Sequence, residues 1–130
     1  MSQSPLALAR AIALACLEKK AEQIALLDVR QLVSYADYVV VCSGRSDRQV
    51  KAIADGVARE LSSTDEPVKA RGIEGDRVGR WVLMDFEDVI LHVFLEELRM
   101  VYDLERLWFD APRINPATGE ACEESQAAGR

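Results

Sequence analysis

The sequence lacks any long uninterrupted hydrophobic run. Its longest apolar stretch, Leu6 to Leu17, is broken by Arg10 and is too short to cross a lipid bilayer. No lysine or arginine precedes that stretch, so it also lacks the charged start of a secretory signal. We therefore expect neither a membrane-spanning nor an exported protein.

Cysteine is scarce, and the common nucleotide-binding motifs are missing. The cysteines Cys16, Cys42 and Cys122 are odd in number, far apart, and include no C-x-x-C pair. This pattern does not fit a disulfide framework or a zinc site, and it favours a reducing cytosol. Neither G-x-x-x-x-G-K-[ST] nor G-x-G-x-x-G occurs, so the sequence offers no standard phosphate-binding loop.

Acidic residues, by contrast, are in excess. The 130 residues include 22 Asp and Glu against 16 Lys and Arg, which gives a formal charge of −6. Residues 1–84 carry a balance of +1 and residues 85–130 a balance of −7, so the last third holds all the net acidity. This distribution indicates a solvated acidic surface and tail. It argues against nucleic-acid binding through a general basic surface and suits a basic protein partner.

The pattern of apolar residues predicts one domain that alternates helices and strands. At 14.5 kDa, the chain is long enough for one packed core. We predict helices over Pro5 to Ala21, Asp47 to Leu61 and Glu96 to Val101, a helical turn over Leu104 to Trp108, and strands over Ile24 to Val29, Tyr38 to Cys42, Val68 to Glu74, Trp81 to Phe86 and Val89 to Leu95. This order predicts an α/β fold, with a small mixed sheet of about five strands packed with helices. After a domain over residues 1–112, we expect residues 113–130 to form a disordered acidic tail.

The segment Ser43 to Ser46, between a predicted strand and helix, has two interpretations. A glycine before a helix N-terminus can hold a phosphate through backbone N–H groups, and Arg45 and Arg48 would add positive charge. A helix cap explains the segment without a ligand, because Ser46 and Gln49 have the spacing of a capping box. The segment contains a single glycine, and we favour the cap.

Three acidic residues around the predicted hairpin turn, Asp85, Glu87 and Asp88, form a second candidate site. Residues two apart on a strand point to the same face, so Asp85 and Glu87 could converge on a divalent metal for phosphoryl transfer. The alternative is that these acids mark the turn and its solvent side. We favour the turn and predict no metal and no cofactor.

Cys42 and His92 form a third candidate, because a thiolate and an imidazole can act together as a nucleophile. However, Cys42 ends a valine-rich strand, and free cysteine is among the most buried residue types. His92 is the only histidine and lies within a predicted strand. We favour a structural role for both residues.

Trp81 is the fourth candidate, on the predicted strand Trp81 to Phe86. Strand alternation places Val82, Met84 and Phe86 on one face, which is wholly apolar and should face the core. Trp81 then shares the other face with Leu83 and Asp85. There it could anchor a partner protein or cover the edge of the core, and the pattern alone leaves both open.

Four stretches follow one another along the chain: LDVRQLVSYADYVVVCSGRSDRQVKAIADGV, EG, WVLMDFEDVILHVF and YDLERLW-x-DAPR. In this order they resemble the ribosomal silencing factor family, also called Iojap-like or RsfS. The resemblance runs from about Leu6 to Arg113. The residues after Ile114 lie outside it.

This resemblance implies a cytoplasmic bacterial protein, or an organellar one in eukaryotes, and a fold similar to the nucleotidyltransferase fold. Members of the family bind the large ribosomal subunit at ribosomal protein uL-fourteen. They block joining of the small subunit and lower translation when nutrients are scarce. They are often dimers when free, so the resemblance implies a homodimer here.

The sequence departs from the enzymes that share this fold. Nucleotidyltransferases need Gly-Ser at a helix start and a following Asp-x-Asp that holds metal ions. Here Gly44-Arg45-Ser46 is followed by Asp47 inside the helix cap, and Asp37 has no acidic partner two residues away. We therefore predict a binding protein and not an enzyme. The alternative is a nucleotide- or metal-dependent nucleotidyltransferase-like enzyme.

The residue pattern and the resemblance together predict a partner-binding face. A tryptophan on a rigid strand can form the desolvated centre of an interface, and acidic side chains suit a basic ribosomal protein. The predicted partner-binding residues are Glu74, Gly75, Trp81, Leu83, Asp85, Asp88, His92, Tyr102, Leu104, Glu105 and Trp108. The last four could instead form a lid on the core or a dimer contact.

Overall fold

The computed structural model describes residues 4–64, 66–75, 80–98 and 111–121. In chain order its elements are α1 (Pro5–Glu18), β1 (Glu22–Asp28), β2 (Tyr38–Gly44), α2 (Asp47–Ser62), β3 (Gly72–Glu74), β4 (Trp81–Asp85), β5 (Val89–Leu95) and β6 (Arg113–Ile114). Residues 96–98 are also helical, and the rest of the predicted third helix lies outside the described residues. The helical turn predicted over 104–108 lies outside them as well.

The described strands form one mixed sheet in the order β3-β4-β5-β2-β1-β6. β2 and β5 pair in parallel at the centre, and the other neighbours pair antiparallel. The predicted single α/β domain is confirmed, with six strands in place of about five. The additional strand, β6, comes from the segment predicted to be a tail.

Helix α1 begins as its sequence predicts. Pro5 occupies the first turn, and the Ser4 hydroxyl caps the helix by accepting from the Ala7 N–H over 3.1 Å. The helix ends at Glu18, about three residues before the predicted end, because Lys20 takes a left-handed φ of 65°. The Ala21 N–H then bonds back to the Cys16 carbonyl over 3.1 Å, and the chain turns into β1.

The helices pack on one face of the sheet, which we call the helix face. Its core contains the alternating strand residues Val40, Cys42, Val82, Met84, Leu91 and Val93, together with apolar residues of α1 and α2. The opposite face, which we call the far face, has a smaller apolar cluster of Ala25, Leu27, Val29, Ala36, Val39, Val41, Phe94 and Ala111. Every residue of β2 is buried, because this central strand is covered on both faces.

Strand β3 is shorter than the prediction of Val68 to Glu74. The Val68 N–H donates to the Leu61 carbonyl over 3.0 Å, so the start of the predicted strand packs against the end of α2. Pairing with β4 begins only at Gly72. The side chain of Ile73 points to the helix face beside Met84 and is still 44% exposed.

The segment after residue 112 is not disordered where the structure describes it, which corrects the expected tail. Arg113 and Ile114 pair with Leu27 and Leu26 at the edge of β1. The Arg10 guanidinium of α1 donates to the carbonyls of Pro116 and Ala117 over 2.8 and 2.6 Å. These contacts give the segment a packed position that its composition did not predict. Residues 122–130 lie outside the described residues.

In the part of the chain that the structure describes, no helix combines the length and the apolar character needed to cross a bilayer.

Candidate functional site

The register of β4 confirms the predicted alternation around Trp81. Val82 and Met84 are fully buried in the helix-face core, and Phe86 is nearly so. Trp81 lies on the far face and keeps 38% of its surface exposed. Leu83 and Asp85 share that face and are half-buried. An aromatic side chain is thus presented at the surface by a strand whose other face is fixed in the core.

Strand pairing brings several predicted partner-binding residues together. Glu74 of β3 pairs with Leu83 of β4, and Leu83 pairs with His92 of β5. Paired residues point to the same face, so these three side chains form a row across the far face. Trp81 lies at one end of β4 beside this row, and Asp85 lies at the other end. We call these five residues the Trp81 surface.

Three aromatic rings pack together within this region. The Trp81 ring lies 4.9 Å from the Phe94 ring and 6.1 Å from the His92 ring, measured between centroids, and is tilted against both. The His92 and Phe94 rings stack at 5.7 Å with an angle of 10°. The Trp81 Nε1–H donates to His92 Nδ1 over 3.1 Å. These contacts hold the exposed indole against the sheet.

His92 itself is buried, with 7% of its surface exposed. Burial lowers the pKa of this imidazole to about 4, because the charged form would lose its hydration. The ring is therefore neutral at pH 7 and can accept the indole hydrogen bond. His92 supports the exposed part of the site from beneath.

Gly75 is required by the geometry of the backbone next to Trp81. Its φ is +83°, in the left-handed region that favours glycine. A Cβ built at this position would clash with the carbonyl oxygen of Trp81. Gly75 therefore permits the close approach of the end of β3 to the start of β4.

Asp85 stabilises the turn between β4 and β5. Its carboxylate accepts from the Glu87 N–H over 2.8 Å and forms an ion pair with Arg71 over 3.1 Å. The Glu87 N–H and the Arg71 guanidinium together lower the pKa of Asp85. The Asp88 side chain is exposed, while its carbonyl accepts from the backbone of Asp37 and Tyr38. The hairpin-turn interpretation of these acids is confirmed by the contacts.

Metal binding has little support from these carboxylates. Within residues 4–64, 66–75, 80–98 and 111–121, no three His, Cys, Asp or Glu side chains come together as a metal site requires. Glu87 has a φ of +81° and extends toward Arg71 at 3.9 Å. That the whole chain needs no metal or cofactor stays a prediction.

The structure separates Cys42 from His92, so the candidate nucleophile pair is not formed. In the parallel pairing of β2 with β5, Cys42 lies opposite Val93 and His92 lies opposite Val41. Cys42 consequently faces the helices, whereas His92 belongs to the far face. The hydrogen bond between Cys16 and Cys42, together with burial, raises the pKa of the Cys16 thiol. The two thiols are buried in the core, as the structural role predicts.

The segment before α2 is used for capping. The Ser46 hydroxyl accepts from the Gln49 N–H over 3.1 Å, as predicted. The Gln49 amide oxygen accepts from the Arg45 N–H over 2.7 Å, and not from Ser46 as a capping box would have it. The Arg45 guanidinium is paired with Glu22 over 2.8 Å. The Arg45 N–H, the Arg45 guanidinium and the Gln49 N–H, which could have served a phosphate, therefore bond to the protein itself.

Sequence reasoning missed two residues that shape the Trp81 surface. Phe94 carries both ring contacts that support Trp81 and His92, and Arg71 pairs with Asp85. Phe94 could have been predicted from the alternation of β5, because His92 and Phe94 are two residues apart on one strand face. The predicted site residues Tyr102, Leu104, Glu105 and Trp108 lie outside the described residues.

Comparison with known proteins finds a matching family model and several similar proteins. A family model described as "Ribosomal silencing factor during starvation" matches residues 2–130, and so includes the segment that the sequence resemblance left out. The ribosomal silencing factor RsfS of Bacillus subtilis (strain 168) is 42% identical over 100 residues, which are 77% of this chain and 83% of that protein. A mouse protein named "Mitochondrial assembly of ribosomal large subunit protein 1" is 31% identical over 94 residues, or 70% of this chain and 40% of that protein.

A solved structure supports the same assignment at the level of the fold. The crystal structure of a Chromobacterium violaceum protein superposes with a TM-score of 0.77 at 36% sequence identity. The match covers 82% of this chain and 87% of that one. With the family model and the relatives, this shows that the chain belongs to the ribosomal silencing factor family.

Proposed function

We propose that this protein binds the large ribosomal subunit and blocks joining of the small subunit, thereby repressing translation when nutrients are scarce. The proposed contact on the ribosome is ribosomal protein uL-fourteen. The names of the relatives support an action on the ribosome, and the name of the mouse protein refers to the large subunit. The observation that carries the proposal is the exposed Trp81 on a rigid strand, with Glu74, Leu83 and Asp85 on the same face.

The Trp81 surface has the features of a protein-binding site. Tryptophan is enriched among residues that dominate binding energy, and such residues are anchored in well-packed surroundings. Here the anchor is the contact with Phe94 and His92. Among the described residues of this region, the acids Glu74, Asp85, Glu87 and Asp88 outnumber the arginines Arg71 and Arg80. This excess of negative charge favours a basic partner and raises the rate of encounter.

A purely steric mechanism is sufficient for this function. A 14.5 kDa protein bound on the face that meets the small subunit excludes that subunit by volume alone. No cofactor or turnover is required, and we propose that the protein is not an enzyme. We also place it in the cytoplasm, and we expect a homodimer when it is free of the ribosome.

Trp81→Ala tests the proposed surface. Truncating a binding hot spot costs roughly 2 kcal/mol or more, so affinity for large subunits should fall at least about twentyfold. The measurement is co-sedimentation of the purified protein with large subunits, combined with an assay of subunit joining. The parent protein should travel with free large subunits and not with assembled ribosomes.

Ile73→Ala is the matched control. Ile73 is a similarly exposed apolar residue on the neighbouring strand, but it points to the helix face. This variant should bind and block like the parent. If Trp81→Ala also binds and blocks like the parent while remaining folded, the Trp81 surface is not the binding site. Equal binding to assembled ribosomes would contradict the proposed block of subunit joining.

A further inference from the structure

The indole of Trp81 is held by a residue that is almost completely buried. Its Nε1–H donates to His92 Nδ1 over 3.1 Å. Trp81 pairs with Phe94 and His92 with Leu83, so the hydrogen bond runs diagonally between β4 and β5. Trp81 is 38% exposed, whereas His92 is only 7% exposed. The two residues therefore have different positions in the same site, one at its surface and one beneath it.

The hydrogen bond between the two rings determines which nitrogen of His92 carries the proton. An indole N–H can only donate, so Nδ1 must offer its lone pair and the ring proton must be on Nε2. Burial lowers the pKa of His92 to about 4, which keeps the ring neutral at pH 7. The stacked Phe94 ring, at an angle of 10°, fixes the plane of the imidazole. The acceptor is thus in place before any partner arrives.

We infer that His92 is a positioning residue, which orients Trp81 for the partner and satisfies its indole nitrogen in advance. This inference rests on the proposed function, because it assigns a role within the Trp81 surface. With Nε1 bonded inside the protein, the exposed part of the ring is hydrocarbon. Docking then buries apolar surface without stripping water from an unpaired N–H, which would oppose binding. A fixed ring also loses less rotational freedom on docking.

Two substitutions at His92 separate the hydrogen bond from simple packing. His92→Leu fills a similar volume without an acceptor, whereas His92→Gln retains an amide oxygen that can accept. Leaving the indole N–H unpaired on docking should weaken large-subunit binding about tenfold in His92→Leu. His92→Gln should recover most of that loss. Thermal unfolding of both variants shows whether they remain folded.

A double-mutant cycle with Trp81→Phe tests whether His92 acts through the indole. Phenylalanine keeps an aromatic ring at this position but has no N–H. In the Trp81→Phe background, His92→Leu should therefore change affinity by less than about twofold. An equally large loss in both backgrounds would overturn the inference, because the effect would not depend on the hydrogen bond.

The free protein offers a spectroscopic test that needs no ribosome. In a ¹H–¹⁵N spectrum, the indole signal of Trp81 is the one that disappears in Trp81→Phe. It should be slow to exchange with solvent in the parent and in His92→Gln, and fast in His92→Leu. A signal that exchanges rapidly in the parent would overturn the inference, even if His92→Leu did not fold.

Failure of the inference and failure of the proposed function give different results. If Trp81→Ala leaves ribosome binding unchanged, the Trp81 surface itself is wrong, and the role of His92 falls with it. If Trp81→Ala weakens binding but His92→Leu leaves both binding and the indole signal unchanged, only the role of His92 is wrong.

Discussion

The two faces of the sheet are built from alternate residues of the same strands, yet they differ in composition. The helix face is closed by α1 and α2, and its buried strand residues are apolar. The far face is apolar beside β1 and β2 but contains Ser43 and His92, which are the buried polar side chains of the described residues. It also presents Trp81 at its edge.

This difference indicates a division of roles between the faces. Burial of apolar surface on the helix face supplies most of the stability. On the far face, a buried polar group must have a hydrogen-bond partner, so its side chains are held in defined orientations. A partner recognises side chains that are held in defined orientations. We therefore place the binding site on the far face, which contains polar as well as apolar side chains.

Substitutions at neighbouring positions of β4 give the most direct test of this comparison. Met84→Ala removes a fully buried side chain from the helix face and should lower the free energy of unfolding by about 3.5 kcal/mol. Leu83→Ala, one residue away on the far face, is half-buried and should cost about 1 kcal/mol. Denaturation by urea measures both values. Equal losses would contradict the division between the faces.

Lowering the pH should decrease the free energy of unfolding, and the group responsible is His92 on the far face. The pKa of His92 is about 4 in the folded state and about 6.5 in the unfolded chain, so the unfolded state binds the proton more readily. The free energy of unfolding therefore has its full value above pH 6.5, where His92 is neutral in both states. It decreases as pH falls toward 4. Between pH 8 and pH 5 the loss should be about 2 kcal/mol.

The control for this pH dependence is His92→Gln, which removes the titrating group. Because His92 is the only histidine, no other side chain has an ordinary pKa in the window from 5 to 6.5. Free energies of unfolding, measured in urea at several pH values, should therefore vary much less in this variant. An unchanged slope would mean that His92 is not the group responsible.

The last prediction concerns the edge of β1, where residues 111–121 contact the apolar clusters of both faces. Arg10 donates two hydrogen bonds to the carbonyls of Pro116 and Ala117, and Ile114 packs against the helix-face core. Arg10→Ala should cost about 1 kcal/mol, since the hydrogen bonds are charge-assisted but partly exposed. Thermal unfolding should show a decrease of roughly 4 °C.

Deletion of residues 115–130 removes the hydrogen-bond partners of Arg10. The truncated protein is therefore the background in which Arg10→Ala is tested as a control. The truncated protein should also melt at a lower temperature, contrary to what a disordered tail would give. Adding Arg10→Ala to the truncated protein should then have little further effect. An additional loss of similar size would show that Arg10 acts through other contacts.

Local sequence patterns determined most of the secondary structure and part of the site. The Ser4 and Ser46 caps, the valine-rich β2 and the alternation of β4 depend on residues close in the chain, and each is found as predicted. Trp81 could therefore be placed on the face opposite Val82 and Met84 from sequence alone. The ordered motifs were also sufficient to identify the family.

Tertiary structure decided the features that depend on the pairing of distant segments. The register of β2 against β5 separates Cys42 from His92, and the register of β4 against β5 brings His92 to Trp81. The edge of β1 and the guanidinium of Arg10 give residues 113–121 their positions, although their composition suggests disorder. A sequence pattern specifies which face a side chain takes on its own strand. Which residues it meets there is set by strand order and register, because these arise from the packing of the whole core.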